Sequence, residues 1–121
     1  MPFVHITLQS PIAAEAKSEL MAFAAGQICR NTSTRPKNVY VYIHEESEEN
    51  MLKAAPTAVI IWTEMPDRTD GAKKAILSAL TGKLAEVAGE EYRDAIGVLF
   101  IDVPLKNAML GGVSRLDDPN K

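Results

Sequence analysis

The sequence predicts an α/β protein with a two-layer α+β architecture, in which a four-stranded sheet carries two helices on one face. Two observations lead to this prediction. Strand and helix patterns follow one another in the order β-α-β, and this order occurs twice, with a period of roughly 56 residues. At 121 residues, 46% of them hydrophobic, the chain can bury the core of one domain. We therefore expect a single domain over residues 1–121, with halves at about 2–55 and 56–115 and a tail at 116–121.

The first half begins with an apolar alternating run at residues 3–8, which predicts a strand. Ser10 and Pro11 follow as an N-cap and a proline at the first helical position, so a helix is expected to start there. Polar residues and Pro36 end this helix, and residues 39–43 predict a second strand. The apolar stripe of the helix consists of Ala13, Ala16, Leu20, Phe23, Ala24 and Ile28.

The second half repeats this order. Residues 58–63 predict a third strand, and the turn at 66–70 contains Thr69 as the N-cap of a second helix. Gly89 is expected just beyond the end of that helix, and residues 96–103 predict the fourth strand. The apolar stripe of the second helix consists of Ala72, Ala75, Ile76, Ala79, Leu80, Leu84 and Val87.

The third and fourth predicted strands are apolar on both faces. The right-handed crossover rule places both helices on one face of the shared sheet, so the chain covers only that face by itself. We expect another subunit to cover the other face, because the apolar patches are too continuous to remain in water. These patches contain Ile60, Ile61, Trp62, Leu99, Phe100 and Ile101.

Composition argues against several classes of function. The formal net charge is -3 and the basic residues are scattered, so no nucleic-acid partner is expected. The apolar segments are short and the N-terminus has no signal-peptide pattern, so we expect a cytoplasmic protein without a membrane partner. Cys29 is the only cysteine, and His5 and His44 have no ligand at metal-binding spacing, so neither a metal site nor a cofactor is predicted.

Pro2 is the first candidate for a catalytic group. Methionine aminopeptidases generally remove Met1 when a small residue follows it, and the chain would then begin with a secondary amine at the edge of a strand. A main-chain amine has a pKa near ~8 in model peptides, and burial or a neighbouring cation lowers that pKa. An amino-terminal proline can therefore act as a general base at neutral pH.

Two segments of the second half resemble the tautomerase superfamily. The run Asp67-Arg68-Thr69-Asp70 is similar to the turn that precedes the helix in 4-oxalocrotonate tautomerase, and residues 103–112 resemble the closing Gly-Gly stretch of that family. The resemblance implies a tautomerase/MIF-like fold, a fused chain that assembles as a homotrimer, and cofactor-free proton transfer. It also implies that Pro2 is catalytic and that Arg68 binds the carboxylate of a small substrate.

The sequence departs from the family pattern at several positions. The strand-two arginine of the short tautomerases is replaced by Tyr40 and Gly97 in the two halves, and Tyr40 is a candidate hydrogen-bond donor to substrate. Ala58, the internal counterpart of Pro2, has an ordinary amide nitrogen. A second arginine before Arg68, present in the fused dehalogenases and hydratases, is replaced by Met65.

The water-activating carboxylate and tyrosine of those enzymes fall on Leu110 and Leu99, which cannot serve as a general base. The aspartate of the decarboxylase-like members falls at Lys37 and Asn38. We therefore predict a cofactor-free keto-enol tautomerase or isomerase for a small unsaturated or 2-oxo carboxylate. The alternatives are a non-catalytic trimer with this fold, and a hydratase, dehalogenase or decarboxylase that uses the same proline.

Overall fold

The computed structural model describes residues 1–119 and follows the predicted order of elements. In the described part of the chain, a short hairpin and several 3₁₀ turns supplement the two β-α-β units. The main elements are β1 (Phe3–Gln9), α1 (Ala14–Asn31), β2 (Tyr40–Glu46), β3 (Thr57–Thr63), α2 (Asp70–Ala88) and β4 (Gly97–Val103), and the hairpin consists of β5 (Met109–Leu110) and β6 (Val113–Ser114).

The four long strands form one mixed sheet in the order β2-β1-β3-β4. Within each half the two strands are parallel, as a β-α-β crossover requires. The halves meet through β1 and β3, which are antiparallel, with Phe3 opposite Ile61. This arrangement confirms the predicted fold class.

The hydrophobic core lies between the sheet and the two helices. Alternate residues of the central strands β1 and β3 face it, and every third or fourth residue of each helix packs against them. Because residues of both helices belong to this one cluster, α1 and α2 cover the same face of the sheet. The buried members are Val4, Ile6, Leu8, Leu20, Ala24, Ile28, Ala58, Ile60, Trp62, Ile76, Leu80 and Leu84.

The internal repeat is visible in a pair of equivalent ion pairs. Lys17 of α1 bonds Glu45 of β2, and Lys73 of α2 bonds Asp102 of β4. Each pair connects the helix of one half to the outer strand of the same half. The repeat read from the sequence is therefore present in side-chain contacts as well as in the order of elements.

The two predicted helix starts have different outcomes. The prediction of a helix starting at Ser10 and Pro11 was wrong: α1 begins at Ala14, and its N-cap Ala13 makes no side-chain cap. Ser10 instead donates its amide and its hydroxyl to the carbonyl of Glu46, at 2.9 and 3.3 Å, and so extends the contact between β1 and β2. Thr69 is confirmed as the N-cap of α2, since its Oγ1 accepts a hydrogen bond from the Ala72 amide at 3.1 Å.

The second face of the sheet retains part of the predicted apolar patch. Leu99 and Ile101 are 50% and 47% exposed there. By contrast, Ile60 and Trp62 are buried beneath the helices, and Phe100 packs against the same core. The expected uncovered surface is therefore real but smaller than the sequence suggested, because alternate strand residues point to opposite faces.

The tail predicted at residues 116–121 is described only in part. Residues 116–119 follow β6 closely, and the amides of Asp117 and Asp118 donate to the carbonyl of Ser114 at 3.2 and 3.1 Å. Asn120 and Lys121 lie outside the described residues.

Gly89 is confirmed as the residue that closes α2, and it carries the first testable prediction. Its φ of 124° lies in a region that side-chain-bearing residues rarely adopt. Gly89→Ala should lower the free energy of unfolding by ~1–3 kcal/mol. Gly82→Ala, a control within α2 where a Cβ meets nothing within 4 Å, should raise it by ~0.5–1 kcal/mol. Urea unfolding measures both, and equal effects would contradict the backbone explanation.

Candidate active site

The start of the chain lies in a cavity of about 230 Å³. Because β1 and β3 are antiparallel, the beginning of β1 lies beside the end of β3, and the turn that carries Arg68 follows β3 directly. The segment after α1 and the residues after β6 complete the walls. The lining consists of Met1, Ser33, Thr34, Arg35, Asn38, Met65, Asp67, Arg68, Arg115 and Pro119.

Arg68 is held in place on one edge of its guanidinium. Its Nη1 donates to both the carbonyl and the Oγ1 of Thr63, the latter at 2.9 Å, and its Nη2 donates to Thr34 Oγ1 at 3.2 Å. The guanidinium also lies over the Trp62 ring, 5.0 Å from the centroid. A guanidinium has five N–H groups, and these three bonds use three of them. The N–H groups that remain are Nε–H and one of the two on Nη2.

The remaining donor at Nε is buried and has no hydrogen-bond partner among residues 1–119. A buried donor without a partner is costly, so an acceptor that reached Nε on ligand binding would remove that cost. Nε and Nη2 are adjacent on the guanidinium. Together they match the two oxygens of a carboxylate.

Asp67 provides the neighbouring negative charge. Its Oδ2 accepts a hydrogen bond from the Ser33 amide at 2.5 Å, which fixes the turn against the segment that follows α1. Burial opposes ionisation of this carboxyl, but the bonds from Ser33 and the charge of Arg68 hold its pKa below the usual value. Asp67 is therefore an anion at neutral pH and acts as a structural partner of the turn.

Arg115 is a site residue that the sequence analysis missed. It is only 3% exposed and lines the same cavity as Arg68. Its amide donates to the carbonyl of Ala108 at 2.8 Å, and its Nη2 donates to the carbonyl of Pro119 at 2.5 Å. Its position just beyond Gly111 and Gly112 was the only signal in the sequence. The cavity therefore has a second arginine, but this arginine follows the hairpin and does not precede Arg68 in the sequence.

The amine at the start of the chain is strongly affected by this cavity. Burial, followed by the positive charges of Arg68 and Arg115, lowers the pKa of the Met1 amine from 8.0 to about 5. Pro2, the next residue, is fully buried. The surroundings of the chain start therefore favour a neutral amine at pH 7.

Met1 also lines a second cavity, of about 250 Å³. It opens between β1, the end of β3 and the segment that leads into β5. Its lining is largely apolar and consists of Met1, Phe3, Ile61, Trp62, Thr63, Val103, Asn107, Ala108 and Met109.

The three site residues predicted from the sequence, Pro2, Arg68 and Tyr40, lie in different surroundings. Arg68 lines the first cavity, whereas Pro2 is fully buried and only its neighbour Met1 is among the described residues that line that cavity. Tyr40 is a neighbour of Pro2 in the sheet, where its amide donates to the Pro2 carbonyl at 3.0 Å. Its ring stacks on Phe3, with centroids 4.8 Å apart, and Tyr40 is not among the described residues that line either cavity.

A pair of histidines lies outside these cavities. His5 Nδ1 and His44 Nε2 lie 2.9 Å apart on the second face of the sheet. No group of three or more His, Cys, Asp or Glu residues within 1–119 could hold a metal ion. Over the same residues, neither helix has the length and apolar composition of a membrane span.

Comparison with known proteins identifies the fold. No protein-family model matches the sequence, and no curated protein matches it. Among solved structures, Pt0534 inactivated by 2-oxo-3-pentynoate is 23% identical with a TM-score of 0.77, over 95% of this chain and 97% of that one. The F6 fused 4-OT, described as a wild-type asymmetric trimer, is 22% identical with a TM-score of 0.79, over 95% and 97%.

Malonate semialdehyde decarboxylase is a third such structure, 14% identical with a TM-score of 0.71 over 90% of each chain. These likenesses extend over nearly the whole of both chains in each comparison. The chain therefore has the fold of these proteins, the tautomerase/MIF-like fold that the resemblance in its sequence implied.

Proposed function

We propose that this protein is a cofactor-free keto-enol tautomerase or isomerase that acts on a small unsaturated or 2-oxo carboxylate. In this proposal Met1 is removed, and the Pro2 nitrogen moves a proton between two atoms of the substrate. Arg68 binds the substrate carboxylate. A backbone amide assists the enolate oxygen, since the Tyr40 ring stacks on Phe3 and is not among the described residues that line either cavity.

One observation carries the proposal: the chain start shares a cavity with a guanidinium whose buried Nε has no partner among the described residues. The two groups meet the two needs of this chemistry. A neutral amine can accept a proton, and a cation with two adjacent free donors can bind a carboxylate and stabilise the negative charge of an enolate.

The proposed reaction needs one base that becomes an acid. The neutral Pro2 nitrogen removes a proton from the enol hydroxyl or from a carbon next to the carbonyl, which leaves an enolate and a charged pyrrolidinium. Arg68 and Arg115 offset the charge of the substrate while the pyrrolidinium returns the proton to the alternative carbon. Every proton that the amine gains is given back, so no external reactant is required.

We also propose a homotrimer. The second face of the sheet exposes Leu99 and Ile101, and Phe3, Ile61 and Tyr40 belong to strand positions of the same face. The fused 4-OT compared above is described as a trimer. A trimer would bury this apolar surface, and light scattering should give a mass three times that of the chain.

The proposal is tested by enol–ketone conversion of phenylenolpyruvate, followed by ultraviolet absorbance. Intact mass should first show that Met1 is absent, and the processed protein should then accelerate the conversion. A processed protein without this activity would support the non-catalytic alternative. Release of carbon dioxide or halide from unsaturated or 3-oxo acids would instead assign decarboxylase or dehalogenase chemistry.

The pH dependence of kcat/KM provides a second prediction. Activity requires the neutral amine, so it should fall as pH drops through the amine pKa, which we expect to lie well below the ordinary ~8. Arg115→Met should raise this pKa, because a neighbouring positive charge disfavours protonation of the amine. Arg115→Lys should raise it less, and Arg93→Met, a change at an exposed arginine, should leave it unchanged. An unmoved acid limb in Arg115→Met would contradict this role.

A further inference from the structure

A chain of side-chain contacts in the second half of the protein ends at Arg68. Asp102 of β4 uses both of its carboxylate oxygens: Oδ1 accepts a hydrogen bond from Trp62 Nε1 at 2.7 Å, and Oδ2 accepts one from Lys73. Trp62 is only 1% exposed, and the guanidinium carbon of Arg68 lies 5.0 Å from the centroid of its ring. One buried side chain therefore connects the Asp102 carboxylate to the Arg68 guanidinium.

The first half of the chain has the equivalent ion pair without this connection. Glu45 accepts a bond from its helix as Asp102 does, but Glu45 lies opposite Leu8 on the neighbouring strand, whereas Asp102 lies opposite Trp62. A leucine side chain has no hydrogen-bond donor. The segment between β1 and α1 also contains no arginine. The additional bond to the carboxylate thus occurs in the half that supplies Arg68.

Asp102 is a charged acceptor. Burial opposes its ionisation, but the bonds from Lys73 and Trp62, together with the charges of Lys73 and Arg68, hold the pKa of this carboxyl below its usual value. A hydrogen bond from an indole N–H to an anion is stronger than one to a neutral acceptor. It also polarises the ring toward higher electron density, and the attraction between a cation and a ring is electrostatic. The charge of Asp102 therefore strengthens the contact between Trp62 and Arg68.

The ring supplies a support that the other bonds of Arg68 do not supply. The bonds to Thr63 and Thr34 involve Nη1 and Nη2, so they hold one edge of the guanidinium. A planar group held along one edge can still tilt about that edge, and the Trp62 ring limits this tilt. Two-donor binding of a carboxylate requires both donors to point at its oxygens. The direction of Nε and of the remaining Nη2 hydrogen consequently depends on the position of the indole.

We propose that Asp102 is a positioning residue, which fixes the indole of Trp62 and thereby holds the Arg68 guanidinium in the orientation that binds a substrate carboxylate. This inference rests on the proposed function, in which Arg68 is the carboxylate-binding group, and adds the residue that orients it. Asp102 is not among the described residues that line either cavity, so it acts through Trp62.

Substitution of Asp102 provides the first test, with phenylenolpyruvate as substrate. Asp102→Ala should raise KM by about threefold to tenfold, the loss expected from a weakened cation–π contact. The Pro2 nitrogen is not affected, so kcat should change by less than about twofold. Asp102→Asn retains an acceptor for the indole N–H and should raise KM less than Asp102→Ala does. Glu45→Ala, the matched control, loses the equivalent ion pair and should keep the parental KM. Equal increases in Glu45→Ala and Asp102→Ala would overturn the inference.

Trp62→Phe tests the same connection without touching the ion pair. It keeps an aromatic ring but loses the N–H that Asp102 accepts, so KM should rise as it does in Asp102→Ala. The double variant should be no worse than the weaker-binding single variant, because both changes remove one shared hydrogen bond. A parental KM in Trp62→Phe, or effects that multiply in the double variant, would show that Asp102 does not act through the indole.

Fluorescence provides a test that does not depend on turnover, since Trp62 is the only tryptophan in the chain. Butanoate should change the Trp62 emission of protein from which Met1 is absent by mass, and Arg68→Met should abolish the response. The apparent Kd should be about threefold to tenfold higher in Asp102→Ala than in the parent.

The outcomes of the fluorescence titration separate the two proposals. An equal Kd in the parent and in Asp102→Ala, or no response in the parent, would overturn the positioning role and leave the proposed function intact if enol–ketone activity is present. A parent that shows the expected butanoate response but no enol–ketone activity would instead reject the proposed function and retain the role of Asp102.

Discussion

Pro2→Ala is expected to lower kcat for enol–ketone conversion by about a hundredfold or more, which is the usual contribution of a positioned acid or base. Alanine is also small, so Met1 should still be removed and a terminal amine should still be present. The change removes the ring that fixes the backbone at this position, and with it the fixed direction of the nitrogen lone pair. Steady-state kinetics on protein of verified mass measures the effect.

The controls for Pro2→Ala separate chemistry from folding. Pro2 is buried, so its replacement should also lower the melting temperature somewhat, and circular dichroism should confirm that the variant is folded at the assay temperature. Pro36→Ala changes an exposed proline and should retain parental kinetics. A folded Pro2→Ala protein with parental kcat would remove Pro2 from the mechanism.

Much of the fold was predictable because local signals and tertiary structure agree. Thr69 and Gly89 act at the ends of α2 through bonds and backbone angles of the helix itself, so the sequence pattern was sufficient. Ser10 had the same local signal but a different outcome. Its amide and hydroxyl bond the carbonyl of Glu46, which is distant in sequence, and local pattern contains no information about that partner.

The candidate site was predictable only for residues that belong to a recognisable sequence motif. Arg68 belongs to a short run with a family resemblance, whereas Arg115 is buried and bonds the carbonyls of Ala108 and Pro119. No periodicity distinguishes such an arginine from a solvated one. That Met1 lines two cavities likewise depends on how β1, β3 and the hairpin pack, which a linear pattern does not contain.

Arg68→Ala is expected to raise KM and to lower kcat/KM by roughly a hundredfold, since it removes a charged, two-donor contact to the substrate carboxylate. Arg68→Lys keeps the positive charge but loses the adjacent pair of donors, so its kcat/KM should lie between those of the parent and Arg68→Ala. Steady-state kinetics measures both variants. An unchanged KM in Arg68→Ala would exclude Arg68 from substrate binding.

The structural bonds of Arg68 require their own control, because the guanidinium also satisfies the carbonyl and hydroxyl of Thr63. Losing that donor should lower the free energy of unfolding by ~1–3 kcal/mol in Arg68→Ala. Thr34→Val removes the bonds that Thr34 Oγ1 accepts from Arg68 Nη2 and from Thr32 Oγ1 but retains the guanidinium, so it should cost stability with a much smaller change in KM. If Thr34→Val raised KM as much as Arg68→Ala does, the effect would come from loss of local order. If it does not, the loss in Arg68→Ala belongs to the guanidinium itself, including its Nε and remaining Nη2 donors.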